Sequence, residues 1–292
     1  MSKTVNTTSG SAWMHHSLIS ALKYIDVRVL YAFVSLFIMP VCLLLNTNHS
    51  RTTAYHYFRR RQGWGRWHSA WATYINHCLF GQVVIDRFAM FAGKHFELTI
   101  EGYEHYQQLA NQADGFMILS SHIGCYEIAG YSLVASNKRF NALVFGGEKD
   151  TVMSGRAKRF SHNNIRMIPV EPDMSHLFLV SEALANHEIV SMPADRIVGS
   201  SRQLQVELMG AKAQLPMGPF SVATMRKLNV LAINVMKTSV KRYTVYAVPL
   251  AYDKEASRKI QMQQLAEAYA KELERILQIY PKQWYNFYEF WS

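Results

Sequence analysis

Cysteine is scarce in this chain of 292 residues: Cys42, Cys78 and Cys125 stand far apart, odd in number and without a C-x-x-C pair. That excludes a disulfide framework, a zinc ribbon and a dithiol redox couple, and it fits a reducing compartment. Also missing are a G-x-S-x-G elbow, a P-loop, H-E-x-x-H and G-x-G-x-x-G, which removes the commonest hydrolase, kinase, metalloprotease and dinucleotide-binding readings. Metal ligands do not cluster, so no metal site is expected. No repeat, low-complexity tract or Pro/Gly/Ser-rich linker divides the sequence. Acidic residues are the scarcer charge, 21 against 31 Lys and Arg, for a formal net charge of +10. This balance attracts anionic partners such as phospholipid, an acidic carrier protein or a phosphate-bearing ligand. Nucleic acid is not expected: Arg59, Arg60 and Arg61 stand near Trp64 and Trp67, but the basic residues are scattered through apolar sequence in no known motif.

What the chain has is apolar surface. Hydrophobic residues make up 49% and charged residues 18%, enough to bury a large core. The uncharged run VLYAFVSLFIMPVCLLL (29–45) approaches the roughly 17–25 residues that span a bilayer. Basic residues flank it on both sides, Lys23 and Arg28 before, Arg51 and Arg59 to Arg61 after. An interfacial helix, or a helical hairpin bent at Pro40, meets that flanking better than a simple crossing. From 63 to 93 aromatics (Trp64, Trp67, Trp71, Tyr74, Phe80, Phe88, Phe91) recur at helical spacing among Arg66, His68 and Arg87, as in a headgroup-level belt or an amphipathic helix packed on a core. The expected organisation is a membrane-anchor region over 1–62 and a catalytic domain over 63–292.

Beyond this, short apolar runs alternate with amphipathic segments. Strands are expected at 96–100, 116–120, 141–145, 166–170, 189–192, 203–208, 230–235 and 243–248, and helices at 126–135, 151–162, 175–186, 219–228 and 254–280. Alternation of this kind predicts an α/β fold with a mixed, largely parallel sheet flanked by helices, preceded by the hydrophobic membrane-binding helix.

His122 directly follows the apolar run FMILS (116–120) and so stands at the carboxyl end of a strand, where open α/β sheets place their ligand crevices. Gly124 permits a sharp turn, and Glu127, one turn into the helix expected to start there, would come within reach of one ring nitrogen. A carboxylate in that place fixes the tautomer and leaves the outer nitrogen to take a proton from a hydroxyl or amine. The spacing alone says little: 12 His and 21 acidic residues give about one H-x4-[D/E] by chance, and the sequence has one. Strand, His, Gly and carboxylate in succession carry the weight.

The block ILSSHIGCYEIAG (118–130), the basic segment SGRAKRF (154–160), EIVSMPADRIVG (188–199), MGAKAQLPMGPFSVA (209–223) and the closing YPKQWYNFYEFW (280–291) together resemble the lysophospholipid acyltransferase superfamily, and within it the late (lauroyl/myristoyl) acyltransferases of lipid A biosynthesis. The resemblance implies transfer of a fatty acyl group from acyl carrier protein or coenzyme A to a hydroxyl or amine of a lipid or glycolipid, with no covalent acyl-enzyme and no cofactor beyond the thioester. His122 and Glu127 would form the general-base pair. Arg159, Asp195 and Arg196 would lie near the donor or an anionic headgroup, and Gly210 is grouped with them as letting the backbone approach the acyl chain or tightening a turn. An anionic membrane, the cytoplasmic face of a bacterial inner membrane, is the implied location. Two departures, Arg196 where the lipid A enzymes often carry an amide and 206–209 without their aromatic stretch, leave open an amino-acid lipid, a glycolipid or a pigment precursor as acceptor. From another class, a catalytically silent membrane-binding or lipid-transfer protein of the same fold would keep the apolar surface and need no base.

Overall fold

The computed structural model describes residues 12–45, 49–128, 133, 137–145, 164–171, 173–197 and 202–291. The helix expected at 151–162 and most of that at 126–135 lie outside these residues. In chain order the elements are α1 (Ala12–Leu22), α2 (Val27–Phe33), α3 (Met39–Leu44), α4 (Ser50–His56), α5 (Arg66–Phe91), β1 (Glu97–Glu101), α6 (Tyr103–Asn111), β2 (Phe116–Gly124), β3 (Phe140–Phe145), β4 (Ile165–Val170), α7 (His176–Ala185), β5 (Ile189–Pro193), β6 (Gln203–Leu208), β7 (Ala211–Pro216), α8 (Met217–Met225), β8 (Val230–Lys237), β9 (Arg242–Leu250) and α9 (Arg258–Ile279).

Seven strands form one sheet in the order β1-β9-β8-β2-β5-β3-β4. β8, β2, β5, β3 and β4 run parallel, while β9 is antiparallel to β8 and carries β1 parallel to itself. β2 and β8 are central and buried on both faces, which is why they read as continuous apolar runs rather than alternating ones. Along β2 the side chains divide between two cores: Met117 and Leu119 join one with Val190, Ala232 and the buried stripe of α9, and Phe116 and Ile118 join the other with Tyr106 of α6 and Met90 of α5. The α9 stripe (Leu265, Tyr269, Leu273, Ile276) has the spacing of one helical face. The strand expected at 203–208 forms, but outside the main sheet. It pairs antiparallel with β7, which the sequence reading did not anticipate, around a two-residue turn of Met209 and Gly210.

At the amino end, α2, a π-helical turn (Val34–Ile38) and α3 follow without a break, a helix apolar and long enough over Val27–Leu44 to cross a membrane by length and composition. Of the two arrangements expected for this run, an interfacial helix or a hairpin bent at Pro40, the hairpin does not form. Pro40 sits in the first turn of α3, directly after the widened π turn, in which the Met39 N–H reaches back five residues to the Val34 carbonyl. Val27 and Tyr31 face inward onto Ile85, Phe88 and Ala89 of α5, while Phe33, Leu36, Phe37, Val41 and Leu44 are exposed. Trp67 and Trp71 at the start of α5 are 90% and 60% exposed, whereas from Ala72 onward most of that helix packs on the core. The exposed tryptophans thus stand at one end of the aromatic helix and most of its core-packed residues toward the other.

Candidate active site

β2 extends further than the apolar run implies. It continues through His122 to Gly124, with a register shift against β8 between Ser120 and Gly124. The polar residues remain in the strand because each has a buried partner: the Ser120 carbonyl accepts from the Tyr269 hydroxyl (2.8 Å) and the Ser121 hydroxyl donates to Asn234 Oδ1 (2.8 Å). His122 therefore lies inside the strand rather than after it, and the strand is followed by a 3₁₀ turn (Tyr126–Ile128). Gly124 is required by close approach: with φ +64°, a Cβ there would lie 2.0 Å from the Val235 carbonyl oxygen.

β5 pairs in parallel with β2, so Asp195, two residues past its end, arrives beside His122. His122 Nδ1 is 2.8 Å from Asp195 Oδ1, and the His122 backbone N–H donates to Oδ2 at 2.7 Å. A carboxylate only accepts, so Nδ1 carries the proton. Asn286 donates a third hydrogen bond, Nδ2 to Oδ2 at 2.8 Å, and the Tyr288 hydroxyl donates to the Asp195 carbonyl at 2.8 Å. Asp195 is fully buried. Burial alone raises its carboxyl, but the His122 ring, then Arg196 and the Asn286 amide, outweigh this and hold it below the usual carboxylate range. The carboxylate therefore favours folding above the ordinary aspartate value, and that contribution fades as the pH falls through its lowered one.

The sequence reading placed Glu127 on the ring nitrogen of His122. In the structure Nδ1 takes Asp195, and Glu127, on the 3₁₀ turn, has Oε1 3.0 Å from Arg87 NH1 of α5. Arg196 joins the same cluster by donating through Nε to Asn286 Oδ1 (2.7 Å) and through a terminal nitrogen to the Tyr285 carbonyl (3.0 Å). Gly210 occupies the β6–β7 turn, where Met209 and Gly210 both have positive φ and open space surrounds the glycine, so the turn accounts for it. Arg159 lies outside the described residues. Cys125 is buried, and burial pushes its thiol up, leaving it protonated and unreactive. Among the described residues, no group of three or more His, Cys, Asp or Glu is placed to hold a metal ion.

The residues that sequence reasoning missed come from the carboxyl-terminal segment and α5. Tyr285 donates its backbone N–H to the His122 carbonyl (3.3 Å), and Trp284 bridges Ile123, which sets Asn286 against Asp195. The side chain of Asn76 in α5 holds the Lys282 and Trp284 carbonyls. The aromatic density of the segment shows that it is buried, but nothing in its spacing singles out Asn286.

Residues 85–292 match the family model of bacterial lipid A biosynthesis acyltransferases. The chain belongs to this family. It is accordingly an acyltransferase, and the silent membrane-binding or lipid-transfer alternative falls away. The match begins within α5, past Asn76, and takes in β2, β5 and the closing segment, and so includes His122, Asp195 and Asn286. Among solved structures, the 1-acyl-sn-glycerophosphate (LPA) acyltransferase PlsC from Thermotoga maritima is similar over 94% of this chain and 99% of its own, at 12% identity and a TM-score of 0.40. No curated protein sequence matches the chain.

Proposed function

We propose that this acyltransferase moves a fatty acyl chain from the thioester of acyl carrier protein or coenzyme A to a hydroxyl or amine of a lipid or glycolipid, at the cytoplasmic face of a bacterial inner membrane. The observation that carries the reading is the buried Asp195 carboxylate on His122 Nδ1 at the carboxyl end of the parallel strands. With Nδ1 committed, Nε2 is the nitrogen that takes the acceptor proton as the acceptor oxygen or nitrogen attacks the thioester carbonyl. The tetrahedral adduct expels the thiolate, the carbon–sulfur bond breaks, and the imidazolium returns the proton to sulfur. Asp195 stabilises the imidazolium meanwhile. Glu127, tied to Arg87, adds a second negative charge on the turn after the strand. Arg196 and Arg159 supply positive charge for the donor phosphate or an anionic headgroup.

Asp195→Asn tests the assignment. The amide is close in shape but turns a donor toward Nδ1 and favours the wrong tautomer. In the serine-protease arrangement the equivalent change costs about 10⁴-fold in kcat, and a fall of at least about 10²-fold in transfer is expected here, whereas wild-type turnover would remove Asp195 from the mechanism. Lipid mass spectrometry of cells with and without the gene identifies the acceptor and chain length by the acylated lipid that disappears; an unchanged lipid profile would argue against lipid acylation.

The apolar helix is proposed as the membrane-docking element, with the exposed Trp67 and Trp71 at headgroup level. Replacing Phe33, Phe37 and Val41 with Glu removes up to about 2 kcal/mol of apolar burial per site without touching the inward-facing Val27 and Tyr31. The triple variant is expected to shift from the membrane pellet to the soluble fraction while keeping its melting temperature. Unchanged partitioning would sink the docking role.

A further inference from the structure

Asp195 and Arg196 are sequence neighbours, one a buried carboxylate and the other a guanidinium held in the same cluster. Left to themselves, such groups form a bidentate fork that occupies both carboxylate oxygens. Here those oxygens accept from the His122 ring and the His122 backbone instead, and a third residue stands between carboxylate and guanidinium. Asn286 is 1% exposed, and its two polar atoms divide the work: Nδ2 donates to Asp195 Oδ2 at 2.8 Å, and Oδ1 accepts from Arg196 Nε at 2.7 Å. The acceptor-only carboxylate and the donor-only guanidinium fix which way the amide points. Its backbone is fixed as well, since Tyr285 donates to the His122 carbonyl and accepts from Arg196.

We propose that Asn286 is a positioning residue for acyl transfer: its amide holds the Asp195 carboxylate on His122 and keeps the Arg196 guanidinium from pairing with that carboxylate. The inference rests on the reading of His122 and Asp195 as the base and its orienting partner. A side chain that donated without accepting would release Arg196, and one that accepted without donating would leave Asp195 short of a hydrogen bond. An amide does both in the space available. The carboxyl-terminal segment is thereby part of the catalytic apparatus, although it touches no reacting atom.

Asn286→Asp separates this role from simple packing. Aspartate has nearly the same shape and still accepts from Arg196, but it presents an acceptor to Asp195 where a donor stood. Full-length protein is assayed in detergent micelles with a fatty acyl thioester of acyl carrier protein and a lipid A precursor. Loss of one hydrogen bond to a charged group predicts kcat lower by about 10- to 100-fold, with the KM for the thioester changed by less than about threefold. A substrate-independent readout accompanies it. A histidine Nδ1 proton bonded to a buried carboxylate resonates far downfield, and in ¹⁵N-histidine-labelled protein the signal that His122→Ala abolishes should be lost or moved in Asn286→Asp. Should the aspartate variant fail to fold, Asn286→Ser, which keeps a hydroxyl donor, is compared with Asn286→Ala, and the serine form should retain more turnover and the downfield signal. Wild-type kcat with an unmoved signal in Asn286→Asp, or equal behaviour of the serine and alanine forms, overturns the proposal while leaving His122 and Asp195 in place. Absence of any downfield signal that depends on His122 in the wild-type protein overturns both readings together.

Discussion

His122→Ala is expected to lower acyl transfer by about 10²- to 10⁴-fold, the usual contribution of a positioned general base, with the protein still folded and membrane-bound. The reason for retained folding lies in Asp195. Its carboxylate keeps the backbone N–H of residue 122 and the Asn286 amide when the ring is removed, so two of its three hydrogen bonds survive and no bare charge is left in the core. His122→Asn sharpens the result, because its amide still offers Asp195 a donor while supplying no base. Both variants should lose turnover together, read as release of free thiol from the acyl thioester, and their melting temperatures should differ by only a few degrees from wild type. Transfer near the wild-type rate in either would mean that the acceptor is deprotonated elsewhere.

The largest expected effect on stability comes from Lys237→Met. Asp86 of α5 and Lys237 at the end of β8 form an ion pair with side-chain exposures of 0% and 4%. Asp86 also accepts from the hydroxyls of Tyr31 in α2 and Tyr243 in β9. Lys237 lies over the rings of Tyr31, Phe96 and Tyr243 and donates to the Val240 carbonyl (3.2 Å). One carboxylate thus joins the apolar helix, the long aromatic helix and the sheet. Methionine fills most of the lysine volume but strands a buried carboxylate, which costs about 3–5 kcal/mol and lowers the melting temperature by on the order of 10 °C for a chain of this size. The double variant Asp86→Leu with Lys237→Met removes both charges and should recover much of the loss, since an apolar pair avoids the desolvation cost. A single variant within about 1 kcal/mol of wild type would show that the pair contributes little.

The same cluster alters what truncation of the amino terminus can be expected to do. Division at residue 62 reads naturally from hydropathy, with an apolar anchor followed by a catalytic chain. In the structure Tyr31 is bonded to Asp86, and Leu22 and Val27 cover Ile85, Phe88 and Ala89. Removing the residues before Arg51 would uncover that apolar face of α5 and take a donor from a buried carboxylate, so surface substitutions on the exposed side of the apolar helix are the cleaner probe of docking.

Strand and helix positions were largely legible, because burial of both faces writes β2 and β8 as unbroken apolar runs and a half-buried helix writes α9 as a stripe of period 3.6. The β6–β7 hairpin was half legible. Gln203–Leu208 alternates cleanly, but Ala211–Pro216 carries lysine and glutamine, and the only sign of the turn was a glycine equally compatible with other roles. His122 was singled out by its immediate neighbours, the apolar run before it and Gly124 after it, although the strand runs on past it to Gly124. The partner of His122 was not. Asp195 is 73 positions away and Asn286 a further 91, and no spacing rule connects residues whose proximity depends on β5 lying beside β2 and on the closing segment pairing with Ile123.

From its sequence alone this protein has its α/β class, its apolar amino-terminal helix and His122 as a candidate base, since periodicity and local order express which faces are buried and where an apolar run meets polar residues. Tertiary structure alone decided that Asp195 holds Nδ1, that Glu127 goes to Arg87, and that Asn286 stands between Asp195 and Arg196. Those contacts follow from strand order and chain closure, which bring together carboxyl ends that the linear sequence keeps far apart.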